Sequence, residues 1–261
     1  MHLAHRIRHT TYAMWHTKKE FRQMAYQSTI DNDSVALLPA ARFEGRIVVV
    51  DNEADVEAAC HDLQRYDMLG FDTETRPSFR AGVSYKVSLL QLSTPEVCYL
   101  FRLCNIRLSN PLLKILGSRR IIKVGVDITG DIRSLHALRH FKADGFVDLQ
   151  NEASRWGIEE KSLRKLSAIV LGQRVSKAQR LSNWEAGILT DQQKEYAATD
   201  AWVSMHILER MMKEYPREGS YTIISVEEQK STTKGRERLL EHRPRHRHKR
   251  AKESSSATNK E

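Results

Sequence analysis

The order of elements legible in this sequence predicts an α/β protein built on a mixed β-sheet with helices layered against it. Three observations carry that reading. Short β-branched or apolar runs alternate with stretches of helical period through the first 150 residues. Two of those runs are separated only by Thr94-Pro95-Glu96, a short connection that suggests an antiparallel hairpin. After Asp148 the apolar pattern is helical to about Tyr215. A doubly wound dinucleotide fold is not indicated, because no GxGxxG follows a first strand.

The ordered region is expected to begin near Phe43. Arg46–Val50 is short and β-branched, a strand. Asp51 is placed to cap a helix running to about Tyr66, with Val56, Ala59, Cys60 and Leu63 on one face. Met68–Thr73 reads as a buried strand, and Val87–Ser93 and Val97–Phe101 form the hairpin. A short helix is expected over Pro111–Leu116, a core strand over Ile121–Val126 and a helix over Gly130–His140, where Ile132, Leu135 and Leu138 share a face. Gly145–Asp148 is a brief strand. Helices are then expected over Leu149–Trp156, Ser162–Leu171 and Thr190–Tyr215, with a basic, irregular stretch over Gly172–Trp184. No internal repeat is visible.

The chain has 261 residues, 40% hydrophobic and 29% charged, which is enough apolar material for a core. No apolar run approaches the roughly 20 residues of a membrane span. The three cysteines form no CxxC pair, which argues against a zinc ribbon or a disulfide framework and for a reducing, intracellular home. The N-terminal end lacks the apolar core of a signal peptide, so the expectation is a cytoplasmic, non-secreted protein. That end faintly resembles a transit peptide, although Met14 and Met24 offer alternative starts.

The net charge is +9, and its distribution is uneven. Residues 230–261 carry +7 and residues 1–23 carry +4, leaving −2 for the stretch between. The expected organisation is therefore an N-terminal extension over 1–42, poorly ordered, a domain over 43–216, and a basic, disordered tail over 217–261. The tail's centre, 242–250, has no apolar periodicity. It reads either as a solubilising segment or as a non-specific phosphate contact.

Three acidic features stand out inside the near-neutral domain. In Phe71-Asp-Thr-Glu74, carboxylates at i and i+2 of a strand end point to one face. Close together they repel unless a cation lies between them, and hard oxygen ligands of this kind suit Mg²⁺ or Mn²⁺. Asp131 follows a core strand at a helix start, where capping is the competing explanation and Asp127 a rival ligand. Tyr196 and Asp200 stand at i and i+4 of the last helix and share a face.

As an ordered set, these motifs resemble those of the DEDDy-type 3′–5′ exonucleases, the ribonuclease D and Werner-like branches of the ribonuclease H-like superfamily. Phe71–Phe79 resembles the first motif, Val124–Asp131 the second, and Leu181–Glu185 with Leu189–Asp200 the third and its lead-in. The stretch Glu160–Leu163 through Gly172 resembles the helix between motifs. The likeness spans about residues 43–215 and is closer to the Werner-like branch. Thr75 departs from it, standing where Werner-like members often carry an aromatic residue.

The resemblance implies a ribonuclease H-like sheet, mostly parallel with one antiparallel strand. It also implies hydrolysis of DNA or RNA from the 3′ end with release of nucleoside 5′-monophosphates. Two divalent cations, Mg²⁺ or Mn²⁺, would be held by Asp72, Glu74, Asp131 and Asp200, with Asp72 bridging both and Tyr196 orienting the attacking water. The expected partner is nucleic acid, as a single strand or the 3′ end of a duplex, with no membrane and the oligomeric state open. Substrate contacts are expected from Thr73, Arg76, Phe79, Arg80, Tyr85, Lys161, Arg180 and Trp184. Lys86, Arg174 and Lys177 lie in the same basic stretches. The competing expectation is a catalytically weak nucleic-acid-binding module that keeps the fold.

Overall fold

Strands and helices alternate as the periodicity requires, and the result is a sheet sandwiched between two helical layers. A computed structural model describes residues 26–214 and 221–226. Among them the sheet runs in the order β1 (Arg46–Val50), β4 (Val97–Phe101), β3 (Val87–Ser93), β2 (Met68–Thr75), β5 (Ile122–Gly125), β6 (Ala143–Asp148), β7 (Ile224–Val226). The pairs β1/β4, β2/β5 and β5/β6 are parallel. Strand β3 is antiparallel to both neighbours. It is the reversed strand that the hairpin spacing predicts, and Thr94 secures its turn by accepting hydrogen bonds from the backbone N–H of Glu96 at 3.2 Å and Val97 at 2.9 Å.

A second antiparallel strand, β7, closes the edge beside β6. It lies within the stretch 217–261 expected to be a disordered tail, where the β-branched run Thr222–Val226 supplies a strand that the charge of the flanking residues masks. The register beside it slips between Ala143 and Phe146, where Gly145 adopts a positive φ of 75°.

One helical layer consists of α2 (Glu53–Leu63), α3 (Asn110–Leu116) and α4 (Ile128–His136). Their apolar faces meet Leu69, Phe71, Leu90, Leu92 and Phe101 of the sheet in one core cluster. The opposite layer is dominated by α7 (Asp191–Glu214), with α5 (Leu149–Arg155) and α6 (Leu163–Leu171) beside it. Strand β2 lies in the middle of the sheet, paired with β3 as far as Thr75 but with β5 only as far as Gly70, so its end, Asp72–Thr75, is half-buried.

Several boundaries differ from expectation. Asn52, not Asp51, caps α2, accepting a hydrogen bond from the Asp55 N–H at 3.2 Å. The helix expected at Gly130–His140 starts and ends earlier, at Ile128–His136. The packed chain also begins before Phe43. A short α1 (Asn32–Leu37) buries Val35 completely, and Ala41 and Arg174 exchange backbone hydrogen bonds with each other's segments. This stretch is anchored by main-chain bonds and a single buried valine, so it has no apolar periodicity to read. Residues 1–25 and 227–261, including the basic run at 242–250, fall outside the described residues. Cys60 and Cys98 are buried free thiols and Cys104 is an exposed one. No helix among the described residues is long and apolar enough to cross a membrane.

Candidate active site

The site is made by strand alternation on β2 and by how closely α7 approaches it. Alternation sends Gly70, Asp72 and Glu74 to the α7 side and Thr73 to the α4 side. A Cβ on Gly70 would lie 1.9 Å from the carbonyl oxygen of Ala201, so only glycine lets the α7 backbone rest on the strand at this point. That contact delivers Asp200, the residue before Ala201, to the two strand carboxylates. One oxygen from each of Asp72, Glu74 and Asp200 lies within 4.8 Å of the others. Asp200 is 7% exposed, while Asp72 and Glu74 are half-buried.

Asp131 stands apart from this trio, in the first turn of α4. The Thr73 hydroxyl donates to its Oδ1 at 2.5 Å, and the Thr73 N–H donates to Asp72 Oδ1 at 2.9 Å. A single threonine thus ties both acids to the end of β2. The rival Asp127 is the exposed N-cap of α4, in a left-handed conformation with φ 60°, and it makes no capping bond. Tyr196 lies one helical turn before Asp200, its ring 6.0 Å from that of Trp184. Tyr196 and Asp200 also line a concavity of about 200 Å³ shared with Ser176 and Gln179.

None of the ion pairs among the described residues involves these four acids. Burial, followed by the charge of Asp200, pushes the Asp72 carboxyl well above the usual carboxylate range. Glu74 is pushed up by burial and then by Asp72, Asp200 and Asp131. Asp131 is raised by burial and Asp72 against the opposing Thr73 hydroxyl. Asp200 is raised by burial, and the Tyr196 hydroxyl partly offsets this. Tyr196 itself is raised by burial and by the surrounding carboxylates, so its phenol keeps its proton. A cluster of carboxylates with no protein cation beside it, offering only hard oxygen donors, fits Mg²⁺ or Mn²⁺ far better than a soft metal.

A family profile described as 3′–5′ exonuclease matches residues 47–216, a span containing all five of these residues. The chain belongs to the 3′–5′ exonuclease family. Within it the domain is of the DEDDy type, with the ribonuclease H-like sheet already described. It is 35% identical over 186 residues to the mouse bifunctional 3′–5′ exonuclease/ATP-dependent helicase WRN, a match covering 67% of this chain but only 13% of that protein. An Arabidopsis thaliana 3′–5′ exonuclease is 29% identical, covering 68% of this chain and 67% of its own length. The Aedes aegypti Nibbler EXO domain structure superposes with a TM-score of 0.59 at 25% identity, over 66% of this chain and 89% of that one.

Beyond the acids, this exonuclease domain separates the expected substrate contacts into three groups. Arg76, Phe79, Arg80 and Tyr85 line a groove of about 460 Å³ that also includes Leu181 and Asn183. Phe79 is 82% exposed, and the Arg76 guanidinium sits 4.7 Å over the Tyr85 ring and 3.2 Å from a Glu185 oxygen. Arg180 is exposed on the neighbouring loop, while the Lys161 ammonium donates to the Gln150 carbonyl at 2.6 Å, and neither lines the groove.

Trp184 corrects the expectation, because it is fully buried and packs on Leu89, Leu100, Leu189 and Ala197. An indole enclosed in that way cannot stack on a base. Arg174 is likewise committed, with its Nε donating to the Leu38 carbonyl at 3.0 Å. The sequence reading missed Gly70, whose only signal is its place two residues before Asp72. Glu185 closes the lead-in motif Leu181–Glu185, but its pairing with Arg76 is visible only in the structure.

Proposed function

We propose that this chain is a metal-dependent 3′–5′ exonuclease that hydrolyses phosphodiester bonds at the 3′ end of DNA or RNA and releases nucleoside 5′-monophosphates. The observation that carries the proposal is the trio Asp72, Glu74 and Asp200, with ligand atoms mutually within 4.8 Å and no protein cation paired to them. Asp72, Glu74, Asp131 and Asp200 would hold two divalent cations, Mg²⁺ or Mn²⁺. When bound, such ions supply a water of lowered pKa and neutralise charge on the attacking and leaving oxygens.

The protein's own groups have separable tasks. Tyr196, whose phenol stays protonated, orients water by hydrogen bonding and is a poor general base. Thr73 fixes the relative position of Asp72 and Asp131 through its hydroxyl and its N–H. Arg76 and Arg80 offer charge to phosphates, while Phe79 and Tyr85 offer faces on which bases stack. Stacking tolerates every base, so this grip suits removal of nucleotides without sequence preference.

The test is digestion of 3′- and 5′-end-labelled oligonucleotides with Mg²⁺, Mn²⁺ or EDTA. Single-stranded DNA, duplex DNA with a recessed 3′ end, and RNA are compared. A ladder shortening from the 3′ end, present with metal and absent with EDTA, is expected. Binding without shortening under every metal condition would leave a nucleic-acid-binding module in its place.

A further inference from the structure

We propose that Gln91 is a positioning residue for Asp72, donating its side-chain amide to that carboxylate when divalent cations occupy the acidic cluster. This rests on the cluster being a cation site, as argued above. Gln91 lies on β3 and is the register partner of Asp72 on β2. Directly opposed residues of an antiparallel pair project to the same face, with Cβ atoms about 4.5–5.5 Å apart. The Gln91 and Asp72 side chains therefore leave the sheet on the same face, the one covered by α7.

Gln91 is completely buried, and neither its Nε2 nor its Oε1 has a hydrogen-bond partner. Its register partner on the other side is Leu100, which belongs to the apolar cluster of Leu89, Trp184 and Ala197. An apolar side chain of similar volume would suit that layer better, since each buried polar group left unpaired costs about 1–3 kcal/mol. Asp72 accepts the Thr73 N–H through Oδ1, and among the described residues no hydrogen bond is made to its Oδ2. A carboxylate that ligates a metal needs its orientation fixed by outer hydrogen bonds. Gln91 is the buried donor placed to supply one, and the unpaired amide is the cost of holding it ready.

The test uses the full chain with Gln91→Met and Gln91→Leu, both apolar and close in volume. Free Mn²⁺ is counted by electron paramagnetic resonance during titration, and melting is followed in EDTA. The expected result is Mn²⁺ affinity weakened roughly 10–100-fold, with melting in EDTA unchanged or raised and KM for an oligonucleotide unchanged at saturating Mn²⁺. Folded variants that bind Mn²⁺ as the wild type does would overturn the proposal and leave the cation site standing. A wild-type protein that takes up no Mn²⁺ would instead overturn the cation site itself, and this proposal with it. If neither variant folds, the ¹⁵N side-chain amide resonance of Gln91 in the wild type decides the matter. A shift on Mg²⁺ titration is expected, and an unmoved resonance overturns the assignment.

Discussion

Three carboxylates brought within reach of one another by a strand and a helix are held there against their own repulsion. Asp72 is flanked by Asp200 and bonded to the Thr73 N–H. Asp72→Ala is expected to reduce hydrolysis to background, a larger loss than the roughly 10–100-fold that outer partners of a metal site cost. Its circular dichroism should be unchanged, which separates lost chemistry from lost fold. The pH dependence follows from the raised carboxyls. Asp200 is pushed up to about 7 and Asp72 to about 8. An acid whose folded pKa lies above its unfolded value stabilises the fold below the unfolded pKa, and that stability is lost as pH rises through the folded pKa. In EDTA, Asp200→Asn should therefore melt close to wild type near pH 4–5 and gain on it steadily towards pH 8. Calorimetry across that range checks the sign, and a gap that narrows with pH would contradict it.

Among the elements, α7 and the loop after β2 do different work. The α7 backbone lies on β2 only because Gly70 has no side chain, with Ala201 O at 1.9 Å from where a Cβ would be. Gly70→Ala must lift the helix and draw Asp200 away from Asp72. A destabilisation of about 1–3 kcal/mol is expected from such overpacking, measured by urea denaturation, together with weakened Mn²⁺ uptake. The loop carrying Phe79 should behave in the opposite way. Phe79 is 82% exposed, so Phe79→Ala should leave the melting temperature unchanged. Losing one base stack, about 1–3 kcal/mol, should raise KM roughly 5- to 150-fold with kcat preserved. Steady-state kinetics on single-stranded substrate checks that split.

At the scale of the whole molecule, charge is unevenly distributed along the chain. Positive charge is concentrated in residues 1–23 and 230–261, and the stretch between them, which contains the acidic site, carries −2. Divalent cations held at the proposed site would have no equivalent in the unfolded chain, so they should stabilise the fold. Mn²⁺ at about 100 times its dissociation constant adds about 2.7 kcal/mol. For a domain of this size that is a rise of roughly 5–10 °C in melting temperature. An unchanged melting temperature in millimolar Mn²⁺ would contradict the cation site.

Local patterning was enough to determine much of this protein. The runs Arg46–Val50, Val87–Ser93 and Val97–Phe101 were legible as strands because apolar, β-branched residues dominate them, and Thr94-Pro95-Glu96 fixed the hairpin. Asp72, Glu74, Asp131, Tyr196 and Asp200 could be named because, as an ordered set, they resemble the motifs of the 3′–5′ exonuclease family; spacing alone left capping and solvated-loop explanations open. Tertiary structure decided what depends on contacts distant in sequence. Strand β7 was hidden in a stretch dominated by charge and helix α1 carries too little apolar pattern to announce itself, so pairing and packing define them. Trp184 and Phe79 are both aromatic residues beside the motifs, yet one is fully buried and the other exposed. Composition does not encode burial, because burial is set by which distant segment lies on top. The same reason hides Gly70 and Gln91, whose meaning lies in a helix backbone and a strand partner that the sequence alone does not bring together.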